Sequence, residues 1–324
     1  MKRRTILGAV SGAALVSAAP HAARAQAAAY PKGPVKMLVP FPAGSATDLA
    51  ARVMAEQYGK ALGQAFVIEN KPGAQGTIAG AEVVRSAPDG QTLFFTSNTA
   101  IASNVPLMKK MPYDPAKDFA HVSGIGETAL VLMTKTDFPA KDLKEFIAVA
   151  KQRGKKMTAG YGSTSSQISV SLLNKLAGLD VLPVPYKGIP LAVNDVMGGQ
   201  TDFTFVDHGN AMAQAKGGKL KMLALTAPKR SPLAPDVPTL AELLPAYNIT
   251  AWFVLAAPPG TPKDIVDKLH ATNVKALGSP EVKDKLAGVG ITPMIMAPAD
   301  VQKFIVSEIT KWTQLTKDAG IEPE

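Results

Sequence analysis

The stretch Val39-Pro40-Phe41-Pro42-Ala43-Gly44-Ser45-Ala46-Thr47-Asp48 decides the fold, because it joins an apolar strand to an amphipathic helix. A glycine followed by small hydroxyl residues at such a turn leaves backbone N–H groups uncovered at the helix N-terminus. The partial positive charge there favours an anion, for example a carboxylate. The other interpretation is a plain turn, in which Gly44 relieves backbone strain and Ser45 or Thr47 caps the helix.

Asp48 lies in the first turn of that helix. It is either a partner of the helix dipole or a group that fixes the loop or accepts from a ligand amine or bridging water.

A second loop of the same kind is GYGSTSSQ at residues 160–167, where a strand ends in glycine and hydroxyl residues precede a helix. Hydroxyls and free N–H groups can bind a carboxylate without a fixed positive charge, although such loops also serve only as helix caps. Two such loops suit a ligand with an anionic group at each end.

Short apolar runs alternate with amphipathic stretches from residue 35 onward, which predicts βαβ units and a largely parallel sheet. The predicted strands are residues 35–41, 66–69, 92–96, 129–134, 158–161, 182–186, 202–206, 220–226 and 251–257. The predicted helices are residues 47–62, 77–86, 100–108, 143–153, 167–177, 191–197, 211–215, 263–277, 280–287 and 299–319.

The mature chain is longer than one compact core usually allows, so two lobes are expected. Residues 129–134 and 251–257 can serve as the two strands that cross between them and form a hinge. We therefore predict a discontinuous lobe I from residues 26–130 and 251–324, and a lobe II from residues 131–250.

The N-terminus is typical of an export signal. Lys2, Arg3 and Arg4 precede a run of apolar and small residues, and Ala23-Arg24-Ala25 gives a cleavage pattern before Gln26. We predict that residues 1–25 are a signal peptide, exported by the general secretory or the twin-arginine route, and that the mature protein is periplasmic.

Charge and composition exclude several functions. The formal net charge is +9, and it falls to +5 without the four basic residues of the signal. The remaining basic residues are scattered among acids and are not clustered with aromatics, so no nucleic-acid partner is expected. Cysteine is absent, which leaves neither disulfides nor a site for lipid attachment. We expect a soluble monomer.

No catalytic constellation is found in the sequence. The histidines beyond the signal, His121, His208 and His270, are widely spaced and lack metal-ligand spacing. Neither a G-x-S-x-G motif, a complete dinucleotide fingerprint nor a phosphate-binding loop occurs. We therefore predict a binding protein rather than an enzyme, with no metal and no cofactor.

Two further strand ends carry candidate ligand-binding residues. Tyr186 and Gly188 flank Lys187, which is either a solvated charge or a supplement to an anion site. Asp207 follows the strand at residues 202–206, where it could bind a ligand amine or simply cap the next helix.

Taken together, the motifs resemble those of the Bug or TctC family, the substrate-binding receptors of tripartite tricarboxylate transporters. The matching segments run in order along the mature chain: PFPAG at 40–44 with Thr47 and Asp48, ENKPGAQG at 69–76, PDG at 88–90, PYD at 112–114, KDF at 117–119, VPYKG at 184–188, GGQ at 198–200, GKL at 218–220, LALT at 223–226, PDVPT at 235–239 and PPGTP at 258–262.

This resemblance implies an α/β, type II periplasmic-binding-protein fold, in which two lobes joined by two hinge strands close on a ligand. It implies that the loop at residues 43–48 holds one carboxylate, partly through ordered waters, and that residues 163–167 contribute from the other lobe. The expected ligand-binding set is Phe41, Ala43, Gly44, Ser45, Ala46, Thr47, Asp48, Ser97, Asn98, Ser163, Thr164, Ser165, Gln167, Tyr186, Gly188 and Asp207.

Two positions depart from the family pattern. Ser45 stands where a second glycine is common, and Gln167 stands where a histidine often opens the helix. Because glutamine cannot carry charge, the usual specificity does not transfer directly.

The expected function is capture of a small organic anion and its delivery to the membrane permease subunits of a tripartite tricarboxylate transporter. A sensor that presents its ligand to a signalling partner is the alternative. A hydrolase on the same fold is disfavoured, because no nucleophile–base pair can be named. Ligand candidates are tricarboxylates, C4 dicarboxylates, acidic or amidated amino acids, pyridine carboxylates and aromatic diacids.

Overall fold

The computed structural model describes residues 30–323, so the predicted signal peptide lies outside the described residues. Ten strands are present in this range: β1 (Val35–Val39), β2 (Phe66–Asn70), β3 (Thr92–Ser97), β4 (Ala120–Lys135), β5 (Thr158–Tyr161), β6 (Leu182–Pro185), β7 (Phe203–Asp207), β8 (Leu220–Leu225), β9 (Thr250–Ala257) and β10 (Thr292–Pro293).

The same range contains nine α-helices: α1 (Ala46–Leu62), α2 (Thr77–Val84), α3 (Leu143–Arg153), α4 (Thr164–Ala177), α5 (Ile189–Gly198), α6 (His208–Lys216), α7 (Lys263–Gly278), α8 (Pro280–Gly288) and α9 (Pro298–Asp318). Within residues 30–323, none of the helices is both long and apolar enough to cross a membrane.

The strands follow the order β2-β1-β3-β9-β4-β7-β5-β6, and β8 and β10 also pair with β4. The pairs β1–β2, β1–β3, β5–β6 and β5–β7 are parallel, but every pair that involves β4 or β9 is antiparallel. The expectation of a largely parallel sheet is therefore wrong at its centre. The outer strands on each side keep the predicted βαβ arrangement.

Strand β4 divides the sheet into two halves. Its residues 120–129 pair with β9, whereas residues 130–134 pair with β7 and residues 131–135 with β8. We call the strands β1, β2, β3, β9 and β10 with the first part of β4 the first half, and β5 to β8 with its last part the second half. One continuous strand therefore belongs to both halves.

Strand β4 begins nine residues before the predicted strand at 129–134. The sequence pattern does not predict this first part of β4, because register shifts fall between His121 and Ser123 and between Gly124 and Gly126. Both glycines lie against the segment that holds β10. A Cβ on Gly124 would be 2.5 Å from the carbonyl oxygen of Met294, so only glycine fits this close backbone approach.

The predicted helix at 100–108 is also wrong. A short π-helical turn covers Thr99–Ser103 and irregular turns follow it. Pro106 explains the early end, because it has no N–H group to donate to the preceding turn.

Helix α9 packs against β4, against the turn at Thr99–Ser103 and against α4 of the second half. Its buried anchor is Glu308, which is 7% exposed. One oxygen, Oε2, accepts the indole N–H of Trp252 at 2.6 Å and that of Trp312 at 3.0 Å. The other oxygen is 3.3 Å from the Lys311 ammonium. This carboxylate joins α9 to β9 and so supports the turn that follows β3.

We predict that Glu308→Leu lowers the free energy of unfolding by about 2–5 kcal/mol, because two buried indole N–H groups lose their acceptor. Glu308→Gln is the matched control, since its amide oxygen can still accept from both indoles. The control should lose less than about 1 kcal/mol. Urea unfolding followed by tryptophan fluorescence measures both. Equal losses in the two variants would show that the indole bonds do not stabilise this helix.

Candidate functional site

The first loop of the site runs from β1 to α1. Gly44 has φ +81°, a conformation that disfavours other residues, and this turn leads the chain into the helix. Ser45 is the N-cap, and its hydroxyl accepts from the N–H of Asp48 at 3.3 Å. The N–H groups of Ala46 and Thr47 have no acceptor inside their own helix, since they lie in its first turn. The α1 N-terminus therefore presents donors at the end of the sheet.

Asp48 holds this loop in place through hydrogen bonds to its carboxylate. Its carboxylate accepts from the Gly44 N–H at 2.9 Å and from Arg52 at 2.9 and 3.0 Å, and also from the amide of Asn70. Burial alone would raise the pKa of Asp48, but the bonds from Arg52, Gly44 and Asn70 outweigh it and lower that pKa. Of the two sequence interpretations, the structure therefore supports Asp48 as the group that fixes the loop.

The second loop runs from β5 to α4 and is built in the same way. Ser163 is the N-cap, and its hydroxyl accepts from the N–H of Ser166 at 3.2 Å. The Ser166 hydroxyl accepts from the N–H of Ser163 at 3.0 Å, which completes a capping box. The N–H groups of Thr164 and Ser165 remain without an acceptor inside α4. The predicted N-terminus at Gln167 is therefore one turn too late.

The two helix N-termini converge on one cavity between the halves of the sheet, with a volume of about 420 Å³ including the space at its mouth. The residues that line it are Phe41, Ser45, Ala46, Thr47, Ser97, Asn98, Thr99, Thr128, Leu130, Gly162, Ser163, Ser165, Ile189, Asp207, Ala251 and Phe253. They come from both halves and from the strands that connect them.

Hydrogen bonds join the two halves in this cavity and beside it. The side-chain amide of Asn98 donates to the Ser165 hydroxyl at 2.8 Å. The Thr164 hydroxyl donates to the side-chain oxygen of Asn104 at 2.5 Å. At the other loop, the amide of Asn210 donates to the Gly44 carbonyl at 3.0 Å. The structure therefore shows the halves in contact around the cavity.

Asp207 is the charged residue of the lining, and it is 4% exposed. Its carboxylate accepts from the Asn210 amide at 2.6 and 3.2 Å and from the N–H of Ala46. Burial raises the pKa of Asp207 to about 6, and the bonds from Asn210 and Ala46 offset only part of that rise. The side chain faces the cavity and makes no bond to the N–H groups of α6.

Of the predicted ligand-binding residues, nine line this cavity: Phe41, Ser45, Ala46, Thr47, Ser97, Asn98, Ser163, Ser165 and Asp207. The other seven, Ala43, Gly44, Asp48, Thr164, Gln167, Tyr186 and Gly188, lie outside its lining. Most of these seven residues have another structural role near the cavity.

Gly44 and Ser45 differ from expectation, because their N–H groups are already used. The Gly44 N–H donates to Asp48, and the Ser45 N–H donates to the carbonyl of Pro42 at 3.2 Å. The Ala46 N–H donates to Asp207, so the donor left at this helix end is the N–H of Thr47. The loop has the expected position, but different backbone atoms face the cavity.

Three residues of the second half also differ. Gln167 lies in a separate groove with Gln75 and Asn104. The Tyr186 hydroxyl donates to Asp195 at 2.6 Å, within the second half. Gly188 packs against the first half, since a Cβ there would be 2.6 Å from Cδ of Pro42. Gly188 therefore allows close approach of the two halves.

Seven lining residues were not predicted from the sequence: Thr99, Thr128, Leu130, Gly162, Ile189, Ala251 and Phe253. Thr128, Leu130, Ala251 and Phe253 belong to β4 and β9, at the place where the halves meet. The prediction of crossing strands near Leu130 and Ala251 was a usable signal, because a cavity between two lobes must border the strands that join them.

The polar groups that line the cavity are of few kinds. None of its lining residues is lysine, arginine, histidine or cysteine. In residues 30–323, no group of three or more His, Cys, Asp or Glu is arranged to hold a metal ion. The lining can bind through backbone N–H groups, hydroxyls, amides and one carboxylate.

Comparison with known proteins gives a family and a fold. Residues 50–321 match the family described as TctC, tripartite tricarboxylate transporter family receptor. Protein BugT of Bordetella pertussis is 34% identical over 309 residues, which cover 94% of this chain and 95% of BugT.

Solved structures agree with this result. R. palustris Rpa4515 with adipate is similar with a TM-score of 0.89 and 32% identity, over 91% of this chain and 100% of that one. The periplasmic binding protein BugD is similar with a TM-score of 0.87 and 32% identity, over the same shares of the two chains. The fold prediction is confirmed, and the chain belongs to the TctC family of tripartite tricarboxylate transporter receptors.

Proposed function

We propose that this protein is a periplasmic receptor that captures a small organic carboxylate between two lobes and delivers it to the membrane subunits of a tripartite transporter. The observation that carries the proposal is the convergence of the α1 and α4 N-termini on one cavity that no cationic side chain lines. Helix N-termini supply donors and partial positive charge, so a carboxylate can bind without an ion pair.

The lobe boundaries belong to the same proposal. Residues 26–130 and 251–324 form lobe I, and residues 131–250 form lobe II, with the hinge near Leu130 and Ile249. Within the described range, these amide and hydroxyl contacts between the halves lie in the cavity or beside it, which suits lobes that separate to release a ligand.

Family membership supports a carboxylate as ligand, since Rpa4515 is described with adipate. It also supports a permease partner, because the family is named for a tripartite transporter. The predicted signal at residues 1–25 and the periplasmic relative BugD support the compartment. We propose that the receptor acts as a monomer and catalyses no reaction.

A thermal-shift screen of organic acids on the purified protein tests this function. The screen includes citrate, succinate, malate, adipate, aspartate, glutamate, nicotinate and terephthalate. We expect at least one acid to raise the melting temperature in a concentration-dependent way, because a ligand that binds only the folded state stabilises it.

Sodium chloride at matched ionic strength is the control for general salt effects. If no carboxylate exceeds this control at millimolar concentration, the proposed function is contradicted.

A second prediction tests the contact between lobes. Gly188→Ala should weaken binding of the best acid at least tenfold, because the added Cβ would lie 2.6 Å from Cδ of Pro42 when the lobes meet. Gly188 has an extended backbone, with φ 179°, so alanine should be tolerated in the fold.

Gly278→Ala is the control, since a Cβ there meets nothing within 4 Å. Calorimetry measures both variants. Unchanged affinity in Gly188→Ala would mean that ligand binding does not require this approach of the two loops.

A further inference from the structure

Two acceptors in the cavity are not fully matched by donors of the protein. The first is the carboxylate of Asp207, at the end of β7, and the second is the side-chain oxygen of Asn98, which follows β3. The helix N-termini explain how an anion could bind here. They do not explain why the same cavity contains a buried carboxylate.

The charge of Asp207 has no cationic partner in its surroundings. The Asn210 amide uses one N–H for the Gly44 carbonyl and the other for Asp207, and the remaining donors are the backbone N–H groups of Ala46 and of Asp207 itself. An ionised carboxylate has about four acceptor positions, so these donors leave part of it unpaired. Burying such a charge is unfavourable unless a partner arrives.

Asn98 gives an independent observation. The residue is fully buried, and its amide nitrogen donates to the Ser165 hydroxyl. Its side-chain oxygen has no hydrogen-bond partner in the part of the chain that the structure describes. Buried acceptors are nearly always paired, so this oxygen is expected to meet a donor from a ligand.

A metal ion is a poor candidate for these acceptors. Calcium and magnesium need six or more oxygen ligands, and no cluster of suitable residues lies in residues 30–323. An ammonium group fits better, because it brings three N–H donors and one positive charge. It would neutralise Asp207 while a carboxylate of the same molecule faces the helix N-termini.

We infer that the ligand is an amino carboxylate whose ammonium group contacts Asp207, with the side-chain oxygen of Asn98 accepting a further ligand N–H or O–H. This inference rests on the proposed function and narrows its ligand class. Asp207 is then the residue that selects amino acids over plain diacids of the same length.

Calorimetry on the purified protein with matched probes tests the inference. The probes are succinate and L-aspartate, glutarate and L-glutamate, and adipate and L-2-aminoadipate, which differ within each pair by one amino group. We expect the amino member of at least one pair to bind at least tenfold more tightly than its plain diacid.

Asp207→Asn should then weaken binding of that amino acid at least thirtyfold. Its affinity for the plain diacid should stay within threefold of that of the unchanged protein, or become higher. Asp207→Ser is a second variant in case the first does not fold, and melting curves check both. Asp137→Asn, at an exposed position away from the cavity, is the matched control and should bind as the unchanged protein does.

Tighter binding of the plain diacids in every pair would overturn the inference and leave the proposed function intact. So would an Asp207→Asn variant that keeps its affinity for the amino acid, since the Asp207 carboxylate would then not be the partner of the ligand's amino group. If none of the six probes binds, the inference fails, whereas the broader screen of acids decides the proposed function separately.

Discussion

The way in which the chain crosses between the two halves of the sheet determines where the other elements are placed. Strand β4 runs through both halves. Thr226 joins β4 to the segment that leads back to the first half at β9. The Thr226 hydroxyl accepts from the Leu130 N–H at 2.9 Å and donates to the Ile249 carbonyl at 2.7 Å. Backbone bonds from Thr226 to Leu130 and from Ile249 to Thr226 repeat the link. Both crossings are therefore held together at one buried side chain.

This crossing fixes where the cavity forms. Leu130 lies at the change of pairing partner in β4, and it also lines the cavity. The α1 loop approaches from the first half and the α4 loop from the second, each with a serine N-cap and first-turn N–H groups that have no acceptor inside their own helix. The cavity can attract an anion through these dipoles, while Asp207 keeps it from being uniformly positive. Such a mixed field favours ligands that carry charge of both signs.

Much of this architecture was predictable from the sequence, because it depends on local patterns. The apolar runs gave the outer strands, and glycine with serine before a helix gave both loops. The predictions that were wrong depend on contacts between residues that are distant in the sequence. The first part of β4 contains Gly124 and Gly126, whose role is visible only beside β10. The Gly44 N–H appeared free in the sequence, but Asp48 accepts from it.

The residues of the site divide in the same way, into those that belong to local motifs and those that only strand pairing brings to the cavity. Loop residues such as Ser45, Thr47 and Ser165 were found because their motifs are local. Thr128 and Phe253 were missed because only the pairing of β4 with β9 brings them to the cavity. Asn98 was in the predicted set, but its unpaired oxygen is a property of its neighbours in space.

We propose that two lobes close around a small carboxylate at the crossing that Thr226 organises. Small-angle X-ray scattering of the protein alone and with a saturating concentration of the best-binding acid tests it most directly. We expect a smaller radius of gyration with ligand, because a molecule that contacts both lobes favours the state in which they meet. Equal radii with and without a bound ligand would contradict it.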